Sequence, residues 1–260
     1  MRIPDSTLEQ LGFKFGKDGA HSARTTMLDE LGVLFESTGP ETTKDAYLSD
    51  IIACNILKKG TDKSRALTGR HLVNLYTLDV KYPLFRIFRK LWEIEPQARP
   101  LLALQIAWAR DPILRLSSSL ILEADIGEQV VREHMEKVFD QNEPGRYSPA
   151  SLKSIAQNVN GSWTRAGYLQ GRAHKTRSLP SIYTINVVYA LFQAYLQGAT
   201  GERLLTSPGT RLLCLANDSL LDMAASASHQ GLIDFHHSGG VLEIRFPDFL
   251  TAEEQEWLHG

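Results

Sequence analysis

Cysteine is nearly absent: Cys54 and Cys214 are the only two in 260 residues, far apart and without a C-x-x-C spacing. That excludes a disulfide framework and a thiolate zinc site, and it fits a reducing, cytoplasmic compartment. Catalytic signatures are missing as well. The chain has no G-x-S-x-G, no H-E-x-x-H, no nuclease-like carboxylate cluster beside a lysine and no dinucleotide fingerprint. "GTDKSRALTGR" lacks the residue order of a P-loop, so no nucleotide cofactor, metal or other cofactor is expected. The opening residues, "MRIPDSTLEQLGFKFG", lack the apolar centre of a secretory leader. Long apolar runs are scarce too. Residues 178–201 run 24 positions without a charge, yet Pro180, Asn186, Gln193 and Gln197 interrupt them. Ile185, Val188, Tyr189, Phe192 and Leu196 recur at helical spacing, which reads as a buried helix and not as a membrane span of about 20 apolar residues. There is no repeat of fixed period and no low-complexity tract.

What remains is an ordinary globular composition, 43% hydrophobic and 22% charged, with charge that is strongly segregated. Residues 58–90 carry nine Lys and Arg against two Asp, and 146–177 carry six against no carboxylate. By the same count residues 1–57, 91–145 and 218–260 stand at −4, −5 and −7, although the whole chain is only −2. Two basic blocks in a near-neutral chain favour a polyanionic partner, with solvated helix faces as the plainer reading.

Periodicity and breakers predict a mainly α protein. A first helix is expected over 21–38, with Met27, Leu28, Leu31, Leu34 and Phe35 inward and Gly39-Pro40 closing it. A second is expected over 42–60, ended by Gly60, and a third from Thr61 or Asp62 to about residue 78. Helix, glycine turn and basic helix follow the arrangement of a helix-turn-helix. Further helices are expected over 83–95, 99–110, 111–124 and 126–140, with Pro100 and Pro112 in first-turn positions. "DQNEPGRYSP" then marks a boundary, which gives an N-terminal helical domain of 1–145 and a C-terminal one of 146–260. In the second, Ser148 or Pro149 opens a helix with Leu152, Ile155, Ala156 and Val159 on one stripe. Alternating runs at 232–237 and 241–246, joined through Ser238-Gly239-Gly240, predict a β-hairpin and a winged-helix outline.

The candidate contacts to nucleic acid lie in the two basic blocks. In "KKGTDKSRALTGRH" they are Lys58, Lys59, Lys63, Ser64, Arg65 and Arg70; in "NVNGSWTRAGYLQGRAHKTR" they are Asn160, Ser162, Arg165, Arg172, Lys175 and Arg177. Cations and neutral donors without neighbouring carboxylates suit phosphate oxygens. Trp163 is expected in the core rather than on a base. His236 and His237, adjacent in a strand, point to opposite faces and do not form a metal pair. Arg110-Asp111 reads as an intrahelical pair or a helix cap, and His21 as part of a helix start.

Three stretches carry a family resemblance: "YLSDIIACNILKKGTDKSRALTGRHLVNLY", "LLALQIAWARDPILRLSSSLIL" and "YSPASLKSIAQNVNGSWTRAGYL". Through an N-(I/V)-L-x-K element, a leucine-rich middle helix and an S-x-x-(S/T)-L…A-G-Y element, residues 20 to 180 resemble the BrxA family of BREX bacteriophage-resistance systems. The resemblance implies a NusB-like helical bundle with helix-turn-helix and winged elements and duplex DNA binding without catalysis. It also implies work beside the other BREX-type defence proteins, including a site-specific methyltransferase. Docking of acidic partner proteins, or RNA binding in the manner of NusB, are the alternatives. Residues 180 to 260 lie outside the resemblance.

Overall fold

The computed structural model describes residues 3–259, and among them the chain is mainly helical with two small antiparallel sheets. Helix α1 spans Asp5–Gln10, α2 Leu28–Glu36, α3 Lys44–Ile52, α4 Asp62–Tyr76 and α5 Pro83–Trp92. The middle of the chain forms α6 (Arg99–Arg110), α7 (Pro112–Leu116), α8 (Ser118–Leu122) and α9 (Arg132–Asn142), followed by α10 (Pro149–Arg165). The last third contains α11 (Thr184–Leu196), α12 (Pro208–Arg211), α13 (Asn217–His229) and α14 (Ala252–His259). Strands β1 (Gln129–Val130), β2 (Leu169–Gln170) and β3 (Lys175–Arg177) make one sheet in the order β1-β3-β2, and β4 (Asp234–Ser238) pairs with β5 (Val241–Arg245) in the other. No helix among the described residues is long and apolar enough to cross a membrane.

Two helices form the centre. In α6 every residue from Leu101 to Arg110 is buried, and in α11 every residue from Ile185 to Ala194. A helix covered on all sides has no polar stripe to orient it, so its few polar side chains must find partners inside. Gln105 Nε2 donates to the Asn186 carbonyl at 2.8 Å, and Asn186 Nδ2 donates to Gln105 Oε1 at 3.3 Å and to the Ala98 carbonyl at 3.1 Å. Asn186 Oδ1 accepts from the Tyr183 amide at 3.1 Å, and Gln193 Nε2 donates to the Gln105 carbonyl at 3.1 Å. These amides fix the register of one helix on the other.

The junction at residues 145/146 is therefore no break in the core. One continuous hydrophobic cluster runs from Ile3 to Leu258, α10 packs on α9 across the junction, and β1 from the first half pairs with β3 from the second. The β4–β5 hairpin is as expected, turning on Gly239 and Gly240 at φ 58° and 78°. Phe246 beyond it stacks near Phe192 and Tyr195 of α11, at centroid distances of 5.4 and 5.3 Å. Helix α14 is tied down from a distance: Glu254 pairs with Arg86 of α5 at 2.6 Å, while Thr251 and Glu254 cap the helix reciprocally.

Several predicted helices are shorter than expected, and the one expected over 126–140 begins only at Arg132, because Gln129 and Val130 pair with β3 as a strand. Residues 24–27 stay out of the helix because the Thr26 amide donates to Ser162 Oγ at 3.0 Å and its carbonyl accepts from the Tyr76 hydroxyl at 2.5 Å, so α2 begins only after a left-handed Met27. Helix α3 ends at Ile52 because Asn55 turns left-handed and its carboxamide bonds both the amide and the carbonyl of Lys59, at 2.8 and 3.1 Å. The N-(I/V)-L-x-K element is that closed loop. Between α7 and α8 the Ser117 hydroxyl donates to the Leu114 carbonyl at 2.6 Å and receives Trp163 Nε1 at 2.8 Å, which breaks the predicted single helix.

Replacing Asn186 by Ala strands Gln105 Oε1 and the Tyr183 amide and opens a void. A loss of about 2–4 kcal/mol of unfolding free energy is expected from urea titration, against less than about 1 kcal/mol for an exposed substitution such as Gln157→Ala.

Candidate nucleic-acid interface

The first basic block divides into cations that build the fold and cations that are free. Lys59 is half-buried, with Nζ 3.0 Å from Glu30. Arg65 braces the loop before α4, donating to the Lys59 and Ile52 carbonyls at 3.4 Å and pairing with Asp62 at 3.3 Å. Ser64 closes a capping box with Thr61: the Ser64 amide donates to Thr61 Oγ1 at 3.1 Å and the Thr61 amide to Ser64 Oγ at 3.2 Å. Lys58, Lys63 and Arg70 are exposed and have no ion-pair partner among the described residues. The linker between α3 and α4 is the nine residues 53–61, longer than the three- or four-residue turn of a helix-turn-helix.

In the second block the burial of α10 overturns part of the expectation. Ser162 is 1% exposed, and its Oγ meets the Thr26 amide and the Asn158 carbonyl. Asn160 is 6% exposed. The stripe Ile155, Ala156, Val159 continues through Ser162 and Trp163, so helical phase places these polar residues inward, and Trp163 is fully buried as expected. Arg177 is 2% exposed: β3 is the central strand of its sheet, and the guanidinium lies 5.3 Å from the Tyr168 ring while donating to the Tyr168 and Ser178 carbonyls and to Cys214 Sγ. None of Ser162, Asn160 and Arg177 lies on the outer surface. Arg165 is exposed but paired with Asp29, and Lys175 Nζ donates to the Gly171 carbonyl at 2.6 Å. Arg172 is exposed at the tip of the β2–β3 hairpin and has no ion-pair partner among the described residues. Gly171 makes that tip possible, at φ +92° with a would-be Cβ 2.1 Å from the His174 carbonyl oxygen.

The two blocks meet at the start of α2, where Asp29 holds Arg165 and Glu30 holds Lys59. Gly161 of α10 lies against Thr25, with a would-be Cβ 3.2 Å from its methyl group. Beside it, Arg24 and Arg70 both act on the His71 imidazole, which is 7% exposed and has no hydrogen-bond partner at either nitrogen. Burial first, then these two arginines, lower the His71 pKa below its ordinary value. Local composition places Arg24 in an acidic stretch, where its effect on His71 is not legible.

No family model matches the chain, and no curated protein matches it.

The C-terminal hairpin adds no free cation. Residues 217–260 contain one Lys or Arg, Arg245, against eight carboxylates, and Arg245 is held by Glu243 at 2.7 Å. His236 and His237 are both exposed on β4, and no group of three His, Cys, Asp or Glu able to hold a metal occurs among the described residues.

A serine, a histidine and an aspartate do line up inside the protein. His21 Nδ1 donates to Asp111 Oδ2 at 2.9 Å, and His21 Nε2 faces Ser162 Oγ at 2.9 Å. The order of contacts is that of a nucleophile relay, but the Ser162 hydroxyl is enclosed by Thr26 and Asn158 and no substrate reaches it. The group is a structural clamp. Asp111 caps α7 through the Ile113 and Leu114 amides at 3.0 and 3.2 Å, as a helix-cap reading expects, and accepts the His21 amide at 3.0 Å. Burial alone pushes the Asp111 carboxyl up, but the His21 ring and amide and the Leu114 amide more than offset this and hold it at about 2 against an ordinary 3.8. Because the folded value lies below the unfolded one, the stabilisation is complete above about pH 4 and is lost as pH falls towards 2. In urea titrations the stability difference between wild type and Asp111→Asn should shrink by on the order of 2 kcal/mol from pH 5 to pH 2; a constant difference would contradict the assignment.

Proposed function

We propose that the protein is a non-enzymatic DNA-binding accessory subunit of a BREX-type phage-defence system, cytoplasmic and NusB-like in fold, which holds duplex DNA against α4 and the adjoining end of α10. The observation that carries this reading is the pair Lys63 and Arg70, seven residues apart on α4, both exposed and both without an ion-pair partner among the described residues. Seven helical residues span about 10 Å, close to three nucleotide rises of about 3.4 Å on one strand, so the two cations match phosphates of a single backbone. Lys58 and Arg172 are likewise exposed and free of ion pairs among the described residues, whereas Lys59, Arg65 and Arg165 are already paired.

In this reading α13 and the β4–β5 hairpin form a winged-helix unit that does not face DNA, because its carboxylates repel phosphate. A second reading rests on that same acidity: eight carboxylates against one arginine suit a basic surface on another defence protein.

Fluorescence anisotropy with a random duplex at two salt concentrations separates the cations. Lys63→Ala/Arg70→Ala should weaken binding at least tenfold and flatten the log–log salt slope by roughly two, while Lys59→Ala/Arg165→Ala should change the slope by less than about one. Equal effects of the two pairs would remove α4 from the interface, and tighter binding of a matched RNA than of the duplex would favour an RNA partner.

A further inference from the structure

Two stretches of chain, 118–126 at α8 and just beyond it and 208–214 at α12 and just beyond it, line an open cleft of about 620 Å³. The end of β3 stands between them. The Arg177 amide donates to the Glu128 carbonyl at 2.8 Å and the Arg177 carbonyl accepts from the Gly127 amide at 2.9 Å, while the Arg177 guanidinium meets Cys214 Sγ at 3.2 Å. Charge divides between the two stretches. Glu123 and Asp125 belong to the first and Arg211 to the second; all three are exposed, and none forms an ion pair among the described residues. Opposite charges therefore share one cleft without meeting.

The same cleft keeps apolar surface in water. Ile126 is 60% exposed and Leu179 59%, and both line it, whereas the other exposed large apolar side chains, such as Val33 and Ile94, do not. One exposed aliphatic side chain is ordinary, but two beside one hollow make a patch that association would cover. The charges decide what covers it. A partner of a single sign, nucleic acid included, is drawn to one stretch and repelled by the other. A surface with a hollow, apolar projections and both signs on separate stretches is complementary to itself after a half-turn, because a two-fold axis sets each stretch against the opposite stretch of its copy. A net charge of −2 leaves little repulsion between copies.

We propose that this cleft is the contact face of a two-fold homodimer, with Ile126 and Leu179 buried between the copies and Arg211 of each copy set against Glu123 and Asp125 of the other. No residue of α4 lines the cleft, so the dimer goes beyond duplex binding on α4 and does not rest on it. A face of this extent belongs with small, reversible interfaces, and a dissociation constant on the order of 10 µM is expected.

Sedimentation velocity of the full chain over a concentration series tests the assignment. Ile126→Asp/Leu179→Asp should weaken the dimer at least tenfold. Arg211→Glu alone, or Glu123→Arg/Asp125→Arg alone, should weaken it similarly by setting like charges together. An equimolar mixture of those two variants should restore a dimer of one copy of each, because every pair across the two-fold is again opposite in sign. All five positions are exposed, so thermal midpoints should stay at the wild-type value. The wild-type chain gives an independent readout: maleimide labelling of Cys214, which lines the cleft, should slow as concentration rises through the dissociation constant, while that of the exposed Cys54 should not. Lys63→Ala/Arg70→Ala should leave dimerisation unchanged, so loss of duplex binding and loss of the dimer are read separately. A monomer at every concentration up to about ten times the expected constant overturns the proposal and leaves the cleft to a different protein or a small ligand. A dimer indifferent to these changes, or a mixture that stays monomeric, overturns it as well.

Discussion

The fold depends on a short ladder of carboxamides at its centre. Helices α6 and α11 are buried on every side, and the hydrophobic effect that buries them is indifferent to how far one slides along the other. Gln105, Asn186 and Gln193 remove that freedom, because any shift by a turn would leave several buried amides without partners. Since α6 comes from the first half and α11 from the second, the ladder also joins the two halves into one core. Everything nearer the surface, including α4, α10 and the small sheet, is positioned relative to this pair.

Helical content was legible where apolar spacing was strong and breakers were placed outside it. The Pro83–Trp92 and Arg99–Arg110 helices and the Thr184–Leu196 helix all follow their leucine and aromatic stripes, and the Ser148 cap of α10 is visible in the order Ser148-Pro149. The hairpin at 234–245 was legible from its Gly-Gly turn. What escaped was set by contacts distant in sequence. Thr26 stays outside the helix because Ser162 and Tyr76 reach it, and α3 stops because the Asn55 carboxamide competes with the next helical turn. Strands of two or three residues, such as β1 and β2, are too short to show alternation.

Charge followed the same division. Composition located the two basic blocks, but it treats every lysine and arginine alike. The fold spends Lys59, Arg65, Arg165 and Arg177 on loops, ion pairs and an aromatic ring, and leaves Lys58, Lys63, Arg70 and Arg172 facing outward. Ser162 was expected on DNA, although helical phase, which continues the Ile155–Val159 stripe through it, carried the signal for its inward turn; its partners His21 and Thr26, 141 and 136 residues away, were not foreseeable.

The tie between Arg86 and Glu254 spans 168 residues and bears on how the molecule assembles during synthesis. Besides Glu254, the Arg86 guanidinium reaches the Val80 and Phe249 carbonyls, and most of that cage comes late in the chain. While the ribosome is still making the last third, α5 must keep this cation hydrated, so the side of the bundle around it stays open. The arrival of residues 249–254 then desolvates Arg86 and completes that wall.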